Sequence, residues 1–490
     1  MWLYRGTLCT EVSVSVAPAR FIPGWRSPET GAAMMVTTTT TQHSDHQPER
    51  PPRTEKSRIG LIVAGSMAAG LVLAVVLVAL PFIPGRENVL AGVVLLAFAL
   101  GWALLAALSV RLTDQPQRWA AAPAAFMAVA GLISLLPPGS VVQDVFGWVW
   151  PPVLFGLAAW MFLSARRQLR SRSARWLLYP VLAVLMVASV GGGYETVRKS
   201  LDARAYPMPG QLVDVGGHRL HLYCTGSGSP TVVLEPGLGG ASSDLGWVAP
   251  AVARDSTACV YDRAGRGWSD AADAPQEAAQ IAADLHTLLE RAEVPGPYVL
   301  VGHSFGGLYV QTFAANYPDQ VAGLVLLDYT APKPGPALPT RTEYSVLGRV
   351  SAVFSAVAHL GAGRLIAQAS YGSLPPHFRG EARANASTAR YLGSFIEEFV
   401  EANTSMQQAA SLTNLNDKPL IVLTADTGNA AGWQQAQDQM ATLSTNSSHR
   451  VAKATTHESL LYDEADSAAA SQAIHDLVAS VRTSRPLTPR

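Results

Sequence analysis

The run Val299-Leu-Val-Gly302-His303-Ser304-Phe305-Gly306-Gly307-Leu-Tyr-Val310 constrains this chain more than any other. A short apolar stretch rich in valine runs straight into Gly-x-Ser-x-Gly and then into the start of a helical pattern, which reads as buried strand, tight turn and helix. A serine in such a turn takes strained backbone angles. Strand and helix can close on it only if small residues stand two positions before and after it. Gly302, Gly306 and Gly307 supply that room, so the Ser304 hydroxyl is expected to stand exposed at the tip as a nucleophile. The competing reading is a structural serine in a tight turn.

Composition separates this region from what precedes it. Of 490 residues only 15% are charged while 49% are hydrophobic, a balance that places part of the chain in lipid. The excess lies between residues 59 and 194. Residues 59–80, 89–110 and 176–194 are each near the roughly 20 apolar residues of a spanning helix. Residues 119–136 are shorter, and 141–163 carry Asp144 and the Pro151-Pro152 pair, yet both lie between polar connectors. The region 58–195 is therefore expected to hold about five transmembrane helices.

Arginine sets the expected orientation. Arg50, Arg53, Lys56 and Arg58 precede the first span, Arg111 and Arg118 lie between the second and third, and Arg166, Arg167, Arg170, Arg172 and Arg175 lie between the fourth and fifth. The alternate loops are nearly bare of positive charge. This pattern puts the amino terminus in the cytoplasm of a multi-pass plasma-membrane protein and, after an odd number of spans, everything beyond residue 205 outside it. Loss of one span would reverse the side. Residues 1–57 read as a disordered tail without the apolar core of a signal peptide, and Met34-Met35 is the expected start of translation. His43 and His46 in that tail have no companion ligands and are read as solvated.

From residue 211 the texture changes to a globular one. Short strands at 211–215, 220–224, 231–234 and 258–261 precede an alternation of helix and strand: helix 277–292, strand 298–301, helix 306–317, strand 322–327, strands 420–424 and 450–454, and helix 468–482. Buried strands alternating with helices imply a mostly parallel sheet covered on both faces. Three motifs then stand in order. Leu234-Glu-Pro-Gly237-Leu238-Gly239-Gly240 is a glycine-rich loop after one strand, Tyr261-Asp262-Arg263-Ala-Gly265-Arg-Gly267-Trp-Ser269 a regular turn after the next, and the Ser304 turn follows, with Thr455-Thr456-His457 near the carboxyl end. This half resembles the α/β-hydrolase superfamily. The resemblance covers residues 211–482 and implies an α/β-hydrolase domain at 205–485, with a helical lid inserted at 331–418.

The resemblance implies four functional parts. Ser304 is the nucleophile and His457, after the last strand, its base; His449, ahead of that strand, is the rival, and His303 is expected to point away from the nucleophile. The acid is Asp328 after the sixth strand or Asp426 after the seventh, with Asp328 preferred because Asp426 falls early for the seventh-strand position. The oxyanion hole is expected from the backbone amides of Leu238 and Phe305. Asp262, Arg263 and Ser269 are expected to brace their turn. The same fold would set the strands of Cys224 and Cys259 side by side, which permits either a disulfide or two buried thiols.

In the lid, Val346, Val350, Val353, Phe354, Val357 and Leu360 follow helical spacing, as do Leu392, Phe395, Ile396, Phe399 and Val400; both stripes are expected to pack on the core and on each other, the alternative being that one rests against the bilayer and admits a lipid-like substrate. The expected activity is cleavage of a carboxylic ester or related acyl bond of a small molecule, through an acyl-enzyme, by a protein embedded in the lipid bilayer. No metal and no organic cofactor is called for. A nucleic-acid partner is not expected, since the domain has no basic run with interleaved aromatics. The alternative is a membrane receptor or sensor that keeps the fold as a non-catalytic binding module.

Overall fold

A computed structural model describes residues 58–83, 86–136, 141–272, 274–331, 349 and 358–487. The expected tail at 1–57 and, apart from Leu360, the first lid stripe lie outside the described residues.

Among the described residues, five α-helices precede the sheet: α1 (Ile59–Ala79), α2 (Glu87–Leu112), α3 (Ala121–Ser134), α4 (Val141–Gln168) and α5 (Arg172–Ala205). Four are long and apolar enough to cross a membrane, and the third apolar segment, Arg118–Ser134, is shorter. Yet this segment runs antiparallel along nearly all of α2. At one end the Gln117 amide donates to Ser109 Oγ at 2.8 Å and Trp119 packs on Trp102 with ring centroids 6.0 Å apart; at the other, Asn88 Nδ2 donates to the Leu136 carbonyl at 3.2 Å. Asn88 to Ser109 is about 31 Å of helix at about 1.5 Å per residue, close to the thickness of a bilayer's hydrocarbon core. Among the described residues, four helices are thus long enough to cross a bilayer and a fifth, shorter apolar segment lies along α2 with its flanking turns.

Glycines let these helices approach. A Cβ at Gly101 would stand 3.0 Å from the Ser66 carbonyl, and one at Gly92 2.9 Å from that of Gly131. Pro151 and Pro152 lie inside α4, where a proline removes the hydrogen bond to the carbonyl four residues earlier. The carbonyl that Pro151 leaves behind, Gly147 O, accepts from Thr196 Oγ1 at 3.1 Å, and Ser189 Oγ donates to Pro151 O at 2.7 Å. Hydroxyls on α5 therefore satisfy backbone that lipid could not, and the proline pair is compatible with a span.

Eight strands form one sheet in the order β1-β2-β4-β3-β5-β6-β7-β8. They are β1 (Gln211–Asp214), β2 (Arg219–Thr225), β3 (Val232–Glu235), β4 (Ala258–Asp262), β5 (Tyr298–His303), β6 (Val321–Leu327), β7 (Leu420–Thr427) and β8 (Ser447–Thr456). β1 and β2 pair antiparallel to each other and β2 pairs antiparallel to β4, while all later pairings are parallel. Alternate side chains serve two cores, as a doubly covered sheet requires. Val233, Leu300 and Leu326 pack under α7 (Ala278–Arg291) and α8 (Gly306–Asn316), whereas Val232, Val301 and Leu327 pack on the other face, with Val248 and Val252 of α6 (Val248–Val252) and the long carboxyl-terminal helix Glu464–Thr483. This is the α/β-hydrolase fold. Cys224 and Cys259 are direct partners across the β2–β4 ladder and are joined by a disulfide.

Between β6 and β7 the lid carries α9 (Ala362–Gln368), α10 (Pro376–Ala386), α11 (Ala389–Val400) and α12 (Ala402–Ala409). One expectation needs correction here. On α11 the apolar stripe Leu392, Phe395, Ile396, Phe399 and Val400 is only half-buried, and apart from Ala389 at its start the buried positions are polar, Ser394 and Glu398. The reason lies in the surface that α11 meets, which presents the Ala264 carbonyl and two arginines rather than an apolar patch.

Candidate active site

The turn at Ser304 is built as its glycines require. Ser304 has φ 55°, a left-handed conformation that costs a non-glycine residue energy and persists only where the surroundings hold it. Its amide donates to Leu327 O at 3.1 Å and its carbonyl accepts from the Thr330 amide at 3.2 Å, so the end of β6 clamps both sides. A Cβ at Gly302 would come within 2.6 Å of the Gly307 Cα, and one on Gly307 would collide with the Tyr329 ring. The strand–helix crossing therefore excludes any larger residue at these positions.

β5 and β6 run parallel with His303 opposite Leu327, so the next residue on each, Ser304 and Asp328, leave the sheet side by side. Asp328, fully buried, also has a positive φ, 38°. Its Oδ2 lies 2.6 Å from Nδ1 of His457, whose side chain keeps 36% exposure. Its Oδ1 accepts from the Ala425 amide at 3.1 Å and from Trp433 Nε1 at 2.8 Å. The carboxylate is thus held by three donors, two of which set its rotation. Asp426, the other expected acid, stands apart from the imidazole: it is exposed, and its Oδ1 accepts from Thr427 Oγ1 at 2.9 Å and from the Thr455 amide at 3.3 Å. Two residues further along β7 than the level of Asp328, it ties β7 to β8 instead. His449 is engaged elsewhere, with Asp438 Oδ1 at 2.6 Å and Thr424 Oγ1 at 2.8 Å.

The side chain of His303 meets His457. Its Nε2 donates to the His457 carbonyl at 2.9 Å and its ring lies 4.6 Å from the His457 ring. Burial, reinforced by the nearby His457, depresses its pKa to about 3, so it is a neutral ring that carries its proton on Nε2.

The glycine-rich loop closes the site from the β3 side. A Cβ at Gly237 would stand 2.9 Å from that of Ser304, so this loop lies directly on the elbow, and Leu238 follows it. Phe305 caps the amino terminus of the 11-residue α8, where helix amides and dipole favour negative charge. A buried charge cluster fixes the loop from behind. Arg263 donates to Gly237 O at 2.7 Å, to Pro236 O at 3.0 Å and to both Glu235 and Glu398, and Arg266 pairs with Glu398 at 3.1 Å and donates to Gly239 O at 3.2 Å. Glu398 Oε2 in turn accepts from the Gly239 amide at 3.1 Å. Burial works to raise the Glu398 pKa, but Arg263 and Arg266 outweigh it and hold the carboxyl below its usual range. Asp262 and Ser269 brace their turn as expected: Asp262 accepts from His221 and the Ser242 amide, both at 2.8 Å, and Ser269 Oγ donates to Asp262 O at 2.5 Å.

Two participants escaped the sequence reading. Trp433 lies past β7 where no acid was found, and only its indole N–H, seen in place, marks it. Glu398 stands beside Glu397 within an apolar stripe, and nothing along the chain says which of the two turns inward.

Residues 230–464 match the family model described as alpha/beta hydrolase fold. Among curated proteins, an uncharacterised protein of Schizosaccharomyces pombe is 31% identical over 219 residues, 39% of this chain and 38% of that one. A 2-(acetamidomethylene)succinate hydrolase of Mesorhizobium japonicum is 33% identical over 143 residues, 29% of this chain and 48% of that one. The chain therefore spans less than half the length of either relative. Among solved structures, the enol-lactonase of Burkholderia xenovorans is similar over 55% of this chain and 100% of its own, with 18% identity and a TM-score of 0.43.

Proposed function

The carboxyl-terminal domain belongs to the α/β-hydrolase superfamily, and from that premise we propose that this protein is a membrane-anchored serine hydrolase of carboxylic esters or related acyl bonds. One observation carries the reading: His457 Nδ1 bonded at 2.6 Å to a buried Asp328, beside a serine held at φ 55° on a strand–helix turn. A structural serine has no need of either feature.

In this mechanism Ser304 Oγ attacks the acyl carbon while His457 Nε2 takes its proton, and Asp328 holds the imidazole with its own proton on Nδ1. The carbonyl oxygen becomes an oxyanion facing the amides of Phe305 and Leu238. Collapse breaks the bond to the leaving alkoxide, which receives the proton from His457 Nε2. Water then attacks the acyl-enzyme by the same route and returns Ser304. His303 and Trp433 position the base and the acid. The arginine-rich connectors support a cytoplasmic face bearing Arg58 and residues 166–175; five spans would then set the hydrolase domain outside, a location that the Cys224–Cys259 disulfide favours.

The test is fluorophosphonate labelling of membranes carrying the wild-type chain or Ser304→Ala, since the reagent needs an activated serine and no knowledge of substrate. Labelling of the wild type alone is the expected result. Absence of labelling in folded wild-type protein would favour the binding-module alternative.

A further inference from the structure

The lid is rooted in the helical bundle, and at a single face of it. Arg349 donates to the Leu80 and Pro81 carbonyls, at 2.7 and 3.0 Å, just past the end of α1. His359 Nε2 lies 2.9 Å from Glu87 at the start of α2. On α5, the Leu360 carbonyl lies so close to Gly191 that any Cβ there would collide with it, and the Tyr194 ring lies against Gly361. Arg364, buried, donates to Glu195 Oε2 at 2.6 Å, to Glu195 Oε1 at 3.0 Å and to Asp202 Oδ2 at 2.6 Å.

These contacts fix a depth. α5 has 34 residues, about 51 Å at about 1.5 Å per residue, which exceeds a hydrocarbon core of about 30 Å. Its apolar run ends at Tyr194, and charge begins with Glu195 and continues through Arg198, Lys199 and Asp202. Gly191 lies within the apolar run, so the Leu360 backbone beside it reaches the boundary of the hydrocarbon. From there α9 leaves at the level of the headgroups. Directly after the buried Arg364 it presents Leu365, 79% exposed, and Ile366, 74% exposed. Two adjacent large apolar side chains uncovered at this level, alongside the exposed Tyr194, repeat the pattern of a segment lying in a membrane interface.

The same segment leads to the site. Tyr371, shortly after α9, packs on Tyr462 with ring centroids 5.8 Å apart, and its hydroxyl is 3.4 Å from that of Tyr391. Tyr391 and Phe395 stand over Gly239, in the loop that lies on Ser304. We propose that α9 rests in the bilayer leaflet on the hydrolase side and that the substrate is an ester of a membrane-resident, long-chain amphiphile, taken from that leaflet rather than from bulk water. The substrate class rests on the serine-hydrolase reading above; the membrane contact rests on the spans alone.

The full chain in phosphatidylcholine nanodiscs tests both. Leu365→Cys in a Cys9→Ser background, labelled with bimane, should be quenched by doxyl-labelled lipid and shielded from aqueous iodide, whereas Asn414→Cys, at the opposite end of the sheet, should show the reverse. Leu365→Glu with Ile366→Glu should lower hydrolysis of a bilayer-embedded dioleoyl ester at least tenfold and leave that of p-nitrophenyl butyrate within twofold. Iodide access at Leu365→Cys equal to that at Asn414→Cys overturns the membrane contact. Parallel changes for the two esters overturn the substrate class. Doxyl quenching with neither ester cleaved by the wild type overturns the hydrolase reading and the substrate class with it, and supports the contact of α9 with lipid.

Discussion

Replacing Asp328 by asparagine probes the proposed acid with almost no change of shape. In the native site Oδ1 accepts from two donors, the Ala425 backbone amide at 3.1 Å and the Trp433 indole Nε1 at 2.8 Å, and Oδ2 faces His457 Nδ1 at 2.6 Å. An asparagine must keep its carbonyl oxygen towards the two donors, because its NH2 cannot accept from them. The NH2 then faces His457 Nδ1, which must become the acceptor, and the imidazole proton moves to Nε2. That nitrogen can no longer take the Ser304 proton. Loss of the correct tautomer in a Ser-His-Asp site costs about 10⁴ in kcat, or about 5.5 kcal/mol of transition-state stabilisation. Both donors to Oδ1 are retained, so the fold should lose no more than about 1 kcal/mol. The assay is steady-state ester hydrolysis together with the rate of fluorophosphonate labelling, and both should fall together. Asp426→Asn should leave both within about threefold. A loss smaller than about tenfold in Asp328→Asn, or an equal loss in Asp426→Asn, would refute the tautomer argument.

Two further outcomes follow from buried charge. His303 carries a pKa lowered from 6.5 to about 3 in the folded protein, so below about pH 6.5 the unfolded chain binds the proton that the folded chain refuses. Stability should therefore fall as pH is lowered from about 6.5 towards about 3, and His303→Leu should flatten that slope in thermal unfolding monitored across the range. Glu398→Ala leaves Arg266 and half of the Arg263 guanidinium without their buried carboxylate and should destabilise the domain by about 3–5 kcal/mol, against about 0.5 kcal/mol or less for Glu290→Ala on the exposed face of α7. Chemical denaturation in detergent measures both.

Local signals carried the reading wherever chemistry depends on spacing along the chain. The Ser304 turn was legible because strand, glycines and helix must follow one another within a dozen residues for the serine to be presented at all. The apolar runs were legible because a bilayer demands length and composition, and the proline pair in α4 blurred one of them only because its rescue by Ser189 and Thr196 comes from another helix. The 119–136 segment read as short, and its hydrogen bonds to α2 at both ends, through Gln117 and Asn88, come from outside the helix itself.

What the sequence alone determined was the order of parts: a region of long apolar helices, a mostly parallel α/β sheet and a serine at a tight strand–helix turn. Only the tertiary structure brings one of the two carboxylates to His457: parallel pairing of β6 with β7 sets Asp328 level with Thr424, and Asp426 lies two residues further along. It also decided that Glu398 faces inward, a result that no period along α11 could announce, since burial of a charge is settled by the arginines it meets across 135 residues of sequence. Periodicity reports which face of a helix is apolar, whereas the partner it meets is known only once distant segments have been brought together.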